Sequence, residues 1–323
     1  MTTRRQIILA LGAGALGAPL ALAAGAARIG FLGTESAAEY AGNLDALRAG
    51  LRELGYVEGK NLSLETRWAN GKNERLPALA AELVALKIDV LVTHGTPGTL
   101  AAKGATKTIP IVMTTSGDAA GTGLVASLAR PGGNVTGMTS LLPEVSAKRL
   151  QLLKELLPRM TRLAVLFNPL NPAFATDIAG TESAARTMKV EVHRFGVKTP
   201  AEFEGAFAAM AEKKVEALMV HQDGMLNANP KLAAALARKH RLPSIGIKEF
   251  GEAGGLIGYG VNFLAMYRNA AVYVDKLLKG AKAAELPIEQ PTNFELVINL
   301  QTAKAIGTRI PRALLLRAER VIE

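Results

Sequence analysis

The chain has 323 residues, 49% of them hydrophobic, with a mean hydropathy of +0.18 and a formal net charge of +10. That composition excludes intrinsic disorder, and past the N-terminal segment no apolar run reaches the roughly 20 residues that span a bilayer. Cysteine is absent, which removes disulfides, thiolate catalysis, zinc–thiolate sites and any lipid-modified cysteine anchor together. Lys and Arg are scattered along amphipathic segments with little aromatic interleaving, so the positive balance reads as a solvated surface and no nucleic-acid partner is expected.

Residues 1–26 have the parts of an export signal: Arg4-Arg5, then an apolar Gly/Ala/Leu run interrupted by Pro19, then small side chains at Ala21, Ala23, Ala24 and Ala26. The arginine pair resembles a twin-arginine signal. A periplasmic location after cleavage, with no stable membrane anchor, is the expectation. Gly12-Ala13-Gly14-Ala15-Leu16-Gly17 fits G-x-G-x-x-G, but Pro19 and the strand-like run from Arg28 leave no room for the crossover helix of a βαβ unit of about 30 residues.

From Arg28 onward, strand and helix patterns alternate. Arg28–Gly33 predicts a strand, and Leu44, Leu47, Leu51 and Leu54 predict an amphipathic helix ended by Gly55. Asn61–Trp68 reads as a strand, Leu76–Leu86 as a helix, and Ile88–Thr93 and Ile109–Thr115 as strands buried on both faces of a parallel sheet. Gly121–Ala126, a G-x-G-x-x-A match, is expected to begin a helix packed on that sheet. After the turn cluster Pro131-Gly132-Gly133-Asn134, a second series begins at Val135–Thr139. It continues with strands at Leu163–Phe167, Lys189–Phe195, Val215–Val220 and Pro243–Ile247, separated by helices at 173–187, 201–213 and 230–240. A strong helix follows at Ala265–Leu278, then a strand at Phe294–Ile298. The expected fold class is α/β: two Rossmann-like lobes with parallel sheets.

Several ordered blocks carry a family resemblance. They are Leu51-Arg52-Glu53-Leu54-Gly55-Tyr56-Val57-Glu58-Gly59-Lys60-Asn61, Arg75-Leu76-Pro77-Ala78-Leu79-Ala80, Ala129-Arg130-Pro131-Gly132-Gly133-Asn134-Val135-Thr136-Gly137 and Phe294-Glu295-Leu296-Val297-Ile298-Asn299. The chain resembles the tryptophan/tyrosine-type ABC transporter substrate-binding proteins along essentially its whole length after residue 26. The resemblance implies a type I periplasmic-binding-protein fold, its lobes joined by three crossovers, serving a permease and an ATPase that are separate chains. The crossovers are placed near Thr139–Leu141, Gly260–Asn262 and Pro287–Pro291. The first lobe is then 27–140 plus 261–288, and the second 141–260 plus 289–323. A monomer is expected.

Ligands of parallel α/β sheets sit beyond the carboxyl ends of the strands, where helix N-termini offer unpaired amides. The candidate ligand-binding residues are therefore Thr34, Glu35 and Ser36 after the first strand, Gly95 and Thr96 after the third, and Ser116, Gly117 and Asp118 after the fourth. The crossover adds Thr139 and Ser140. The second lobe adds Asn168, Asn171, Asp223 and Glu249, together with Tyr259, preferred over Tyr40, Phe174 and Phe250 as the aromatic contact. Asp223 is the preferred partner for a ligand ammonium, with Glu35 and Glu249 as the alternatives.

No catalytic constellation is present: His94, His193, His221 and His240 lack metal-ligand spacing, and there is no G-x-S-x-G elbow or phosphate loop. No cofactor or metal is expected. The reading is a solute receptor of an ABC importer, binding an amino acid or related carboxylate between closing lobes and doing no enzymology. A sensor subunit of the same fold and an exported hydrolase are the alternatives.

Overall fold

The computed structural model describes residues 25–140 and 142–323; the Gly12–Gly17 motif and nearly all of the expected export signal lie outside them. The first parallel sheet has the order β2-β1-β3-β4-β5, formed by β1 (Ala27–Gly33), β2 (Leu62–Trp68), β3 (Val90–Thr93), β4 (Ile111–Met113) and β5 (Val135–Gly137). Alternation along β3 sends Val90 and Val92 to a cluster with Leu44, Leu47 and Leu51 of α1 (Ala41–Glu53). Leu91 faces the opposite layer, among Leu76, Leu79 and Leu83 of α2 (Leu76–Ala85). The third helix, α3 (Gly95–Ala105), starts directly where β3 stops.

The chain leaves this sheet after Gly137 and enters the second lobe at α4 (Leu142–Leu156). There β6 (Arg162–Phe167), α5 (Ala173–Thr187), β7 (Glu191–Gly196), α6 (Phe203–Glu212) and β8 (Ala217–Val220) follow in βα alternation. They continue into α7 (Gly224–Ala228), α8 (Pro230–Lys239), β9 (Ser244–Gly246), α9 (Lys248–Glu252) and β10 (Ile257–Val261). Next, α10 (Phe263–Leu278) crosses back to pack on α1. Its approach is so close that a methyl group on Gly50 would overlap the Arg268 carbonyl oxygen. The chain then returns as β11 (Phe294–Asn299), α11 (Leu300–Ile306), α12 (Arg312–Leu315) and β12 (Arg320–Ile322), completing the sheet β12-β11-β10-β9-β8-β6-β7.

Neighbouring strands are parallel except β10 and β11, where Ile257 pairs with Ile298 and Val261 with Phe294. The exception follows from the route: β10 runs toward the junction of the lobes and β11 comes back from it. The crossing segments are stitched together, Met138 bridging Glu289 and the Asn262 side chain donating to Glu295 Oε1 at 2.8 Å. These are two α/β lobes joined by three crossovers.

The helix expected to begin at Gly121 does not form. Asp118 accepts from the Gly121 amide at 2.8 Å, and Gly123 takes a positive φ of 71°. Lys103 Nζ donates to the carbonyls of Gly123 and Leu124, at 2.8 and 2.9 Å, which locks a turn in place of a helix. The strands β10 and β12 have no counterpart in the sequence reading, because Gly258 and Gly260 flank Tyr259 like loop residues and β12 has only three residues.

Candidate functional site

Between the lobes, at the carboxyl ends of the parallel strands, lies a cavity of about 190 Å³. Ten of the expected residues line it. Thr34 and Glu35 follow β1, Gly95 and Thr96 open α3, and Ser116 and Gly117 follow β4, while Asn168, Asn171, Asp223 and Glu249 come from the second lobe. The other five do not. Ser36 turns its amide and hydroxyl onto Glu39 Oε2, at 2.9 and 2.5 Å, closing the turn before α1. Asp118 is held by the Gly121 amide. Thr139 and Ser140 donate to the Ser116 carbonyl at 3.3 and 2.9 Å, and Ser140 Oγ accepts from Gln222 Nε2 at 2.9 Å, so both brace the crossover. Tyr259 stacks on Phe294 with ring centroids 5.9 Å apart. Of the four aromatic candidates, Tyr40 is the one on the cavity wall, whereas Phe174 stacks on Phe167 and Phe250 is buried in the core.

Among the described residues, the side chains that line the cavity include four acids, Glu35, Glu39, Asp223 and Glu249, and no lysine or arginine. Asp223 caps α7, accepting from the Met225 amide at 2.9 Å. Its two oxygens also receive Asn168 Nδ2 at 3.2 Å and Asn171 Nδ2 at 2.9 Å. Glu35 faces it from the first lobe, and burial first, then Asp223 and Glu39, push its carboxyl up to about 8. Burial likewise raises Glu249 to about 7.

On the first-lobe wall, the buried hydroxyls of Thr96, Thr115 and Ser116 have no hydrogen-bond partner among the described residues. They surround the N-terminus of α3, where helix amides add partial positive charge. A carboxylate is the group that such a set of donors fits.

His94 ties three elements together. Its Nε2 lies 2.5 Å from Thr34 Oγ1 and its Nδ1 2.5 Å from the Tyr267 hydroxyl, and Tyr40 stacks on the ring at 4.3 Å. Burial pushes the imidazole down to about 3, so it is neutral. The Thr34 amide also donates to Nε2, at 3.4 Å, which makes Nε2 the acceptor and Nδ1 the donor. Sequence reasoning missed His94, Tyr267, Asn43 and Phe263 on this wall. Only His94 carried a usable signal, as the first residue after β3.

Two facing α/β lobes with a polar cavity at their strand ends define a two-lobed solute receptor. More specifically, the chain belongs to the ABC transporter substrate binding protein family, which it matches over residues 37–322. It is similar to the tyrosine-binding protein of Clostridioides difficile (strain R20291), with 28% identity over 257 residues that cover 79% of this chain and 74% of that one. Its fold is similar to that of a conserved domain protein from Vibrio cholerae, at a TM-score of 0.86 and 28% identity, covering 91% of this chain and 99% of the other. It is also similar to an ABC domain in complex with L-Trp from Streptococcus pneumoniae, at a TM-score of 0.85 and 26% identity, covering 92% and 100%. Members of the family are binding proteins that work with ABC permeases.

Proposed function

We propose that this protein is an exported receptor that captures a free amino acid in the periplasm and delivers it to the permease of an ABC importer, as a monomer and without a chemical step of its own. The N-terminal signal pattern supports export, and among the described residues no helix is long and apolar enough to cross a membrane. Sheet membership supports lobes of 27–140 plus 261–288 and 141–260 plus 289–323.

The carrying observation is the pair Glu35 and Asp223, which face one cavity from opposite lobes with no cationic side chain among the described residues lining it. Asp223 is a buried carboxylate, and Glu35 becomes one when a cation takes the place of its proton, so the pair fits the ligand's ammonium. Its carboxylate goes to the α3 N-terminus and the hydroxyls of Thr96, Thr115 and Ser116. This narrows the ligand to an amino acid and disfavours a plain carboxylate, which would meet four acids and no base among the described lining residues. The ligand touches both lobes only when they are closed, so its differential affinity drives closure.

Titration calorimetry with free L-amino acids and their deaminated analogues tests the assignment. Removal of the amine is expected to weaken binding at least about 100-fold. Equal affinity for the deaminated acid contradicts it.

A further inference from the structure

An ammonium carries three N–H donors, and with Glu35 and Asp223 taking one each a third is left over. Asp223 has little more to give. Its Oδ1 already accepts from the Met225 amide and Asn168 Nδ2, which leaves Oδ2, shared with Asn171 Nδ2, for the ligand. Thr34 is buried, lines the cavity and stands beside both acids. Its Oγ1 and Glu35 Oε1 flank one point above Gly224, the residue after Asp223, at 3.0 and 2.9 Å from where a methyl group on that glycine would stand. A hydroxyl can donate or accept, and here its direction is set from behind. The Thr34 amide points at His94 Nε2 at 3.4 Å, which requires that nitrogen to be unprotonated, and the same nitrogen lies 2.5 Å from Thr34 Oγ1. The hydroxyl proton is therefore directed to Nε2, while Nδ1 keeps the ring proton and donates it to the Tyr267 hydroxyl. What Thr34 Oγ1 offers the cavity is lone pairs alone.

Building on the amino-acid reading, we propose that the Thr34 hydroxyl oxygen is the third acceptor of the ligand's ammonium, and that His94 is the positioning residue that turns its lone pairs to the ligand. The consequence is a specificity for primary amines. With three N–H groups on three acceptors, an N-alkyl group displaces one hydrogen bond whichever way it is turned. A buried acceptor is then left without its donor, and sites built this way reject the analogue lacking that donor. A site with only two acceptors accommodates one N-methyl group without losing a bond.

Calorimetry on the full protein, freed of bound ligand, tests this with the standard L-amino acids and the N-methyl derivative of whichever binds most tightly. The wild type should bind the N-methyl derivative at least about tenfold more weakly than its parent. In Thr34→Val the parent amino acid should lose about tenfold while its N-methyl derivative loses little, so the ratio falls toward one. Thr34→Ser restores the oxygen and should recover the preference. His94→Phe keeps a ring in place but removes the acceptor, and should lower the ratio in the same way, whereas a purely structural role for either residue weakens both ligands alike. If these variants fail to fold, nitrogen NMR of the histidine-labelled wild type decides, since His94 should carry its proton on Nδ1 with and without ligand. A proton on Nε2, a wild-type ratio near one, or a ratio that survives in Thr34→Val or His94→Phe overturns the inference while leaving the amino-acid reading intact. Failure of every amino acid to bind overturns both.

Discussion

Glu35 of the first lobe lies against Gly224 of the second: a methyl group on Gly224 would stand 2.9 Å from Glu35 Oε1 and 3.0 Å from Thr34 Oγ1. The lobes therefore meet at backbone on one side and a carboxyl group on the other. Any side chain at 224 pushes between them at the point where the candidate ammonium site is assembled.

Gly224→Ala should lower amino-acid affinity about tenfold by requiring the Glu35 carboxyl to shift, and Gly224→Val should lower it further. Because α7 begins at this position and Asp223 still caps it, thermal stability without ligand should change little. Calorimetry checks the affinity. Small-angle scattering with and without ligand checks the cause, since the valine variant should stay open under conditions in which the wild type closes.

The raised Glu35 carboxyl makes stability depend on pH in a definite sense. In the unfolded chain it titrates near 4.5 and in the native protein near 8, so the native state binds the extra proton between these values. Its contribution is fully present below about pH 4.5 and is lost as the pH rises through about 8. The ligand-free protein should thus melt at a lower temperature at pH 8 than at pH 6.5, and Glu35→Gln should flatten this slope. A bound ammonium favours the ionised carboxyl, so amino-acid affinity should rise over the same interval in the wild type and not in the variant.

Asp223 serves both fold and ligand, and the two roles separate by substitution. Asp223→Asn keeps an oxygen for the Met225 amide and Asn168 but turns an amino group toward Asn171 Nδ2, and should cost about 1–2 kcal/mol of stability in urea unfolding. Binding should fall much more, at least about 100-fold, because the charge opposite the ammonium is gone. Asp223→Ala also strips Asn168 and Asn171 of their buried acceptor and should cost about 2–3 kcal/mol of stability.

How much of this was legible in the sequence follows the geometry of a parallel sheet. Thr34, Gly95, Ser116, Asn168 and Asp223 reach the cavity because each stands at or just beyond a strand's carboxyl end, and strand ends are readable from apolar runs. Tyr267 and Phe263 were not readable. They belong to α10, whose apolar residues look like ordinary core, and α10 reaches the site only because the chain crosses back to the first lobe. Tyr259 misled for a related reason: its flanking glycines suggest a loop, yet they sit in β10, whose pairing with β11 puts the ring on Phe294. Local pattern gives strand ends; it does not give what a long-range crossing brings beside them.

His94 should oppose Glu35 on the acid side. Its imidazole titrates near 6.5 when unfolded and near 3 in the native protein, so the native state is the one lacking the proton between these values. The contribution of His94 is therefore complete above about pH 6.5 and is lost as the pH falls toward 3. Between about pH 4.5 and 6.5 the two slopes cancel, one proton against one. Glu249, raised to about 7, adds a second proton taken up by the native state over that interval, so stability should still rise as the pH falls to about 4.5 and then fall through His94. His94→Ala removes the bonds to Thr34 and Tyr267 and the stacking on Tyr40, and should cost about 2–4 kcal/mol at pH 7. It should also change the slope of the profile: with the opposing term gone, urea unfolding of the variant should show stability rising about twice as steeply as in the wild type as the pH drops from 6.5 to 4.5. Equal slopes in the wild type and His94→Ala would show that the neutral imidazole does not oppose the two acids.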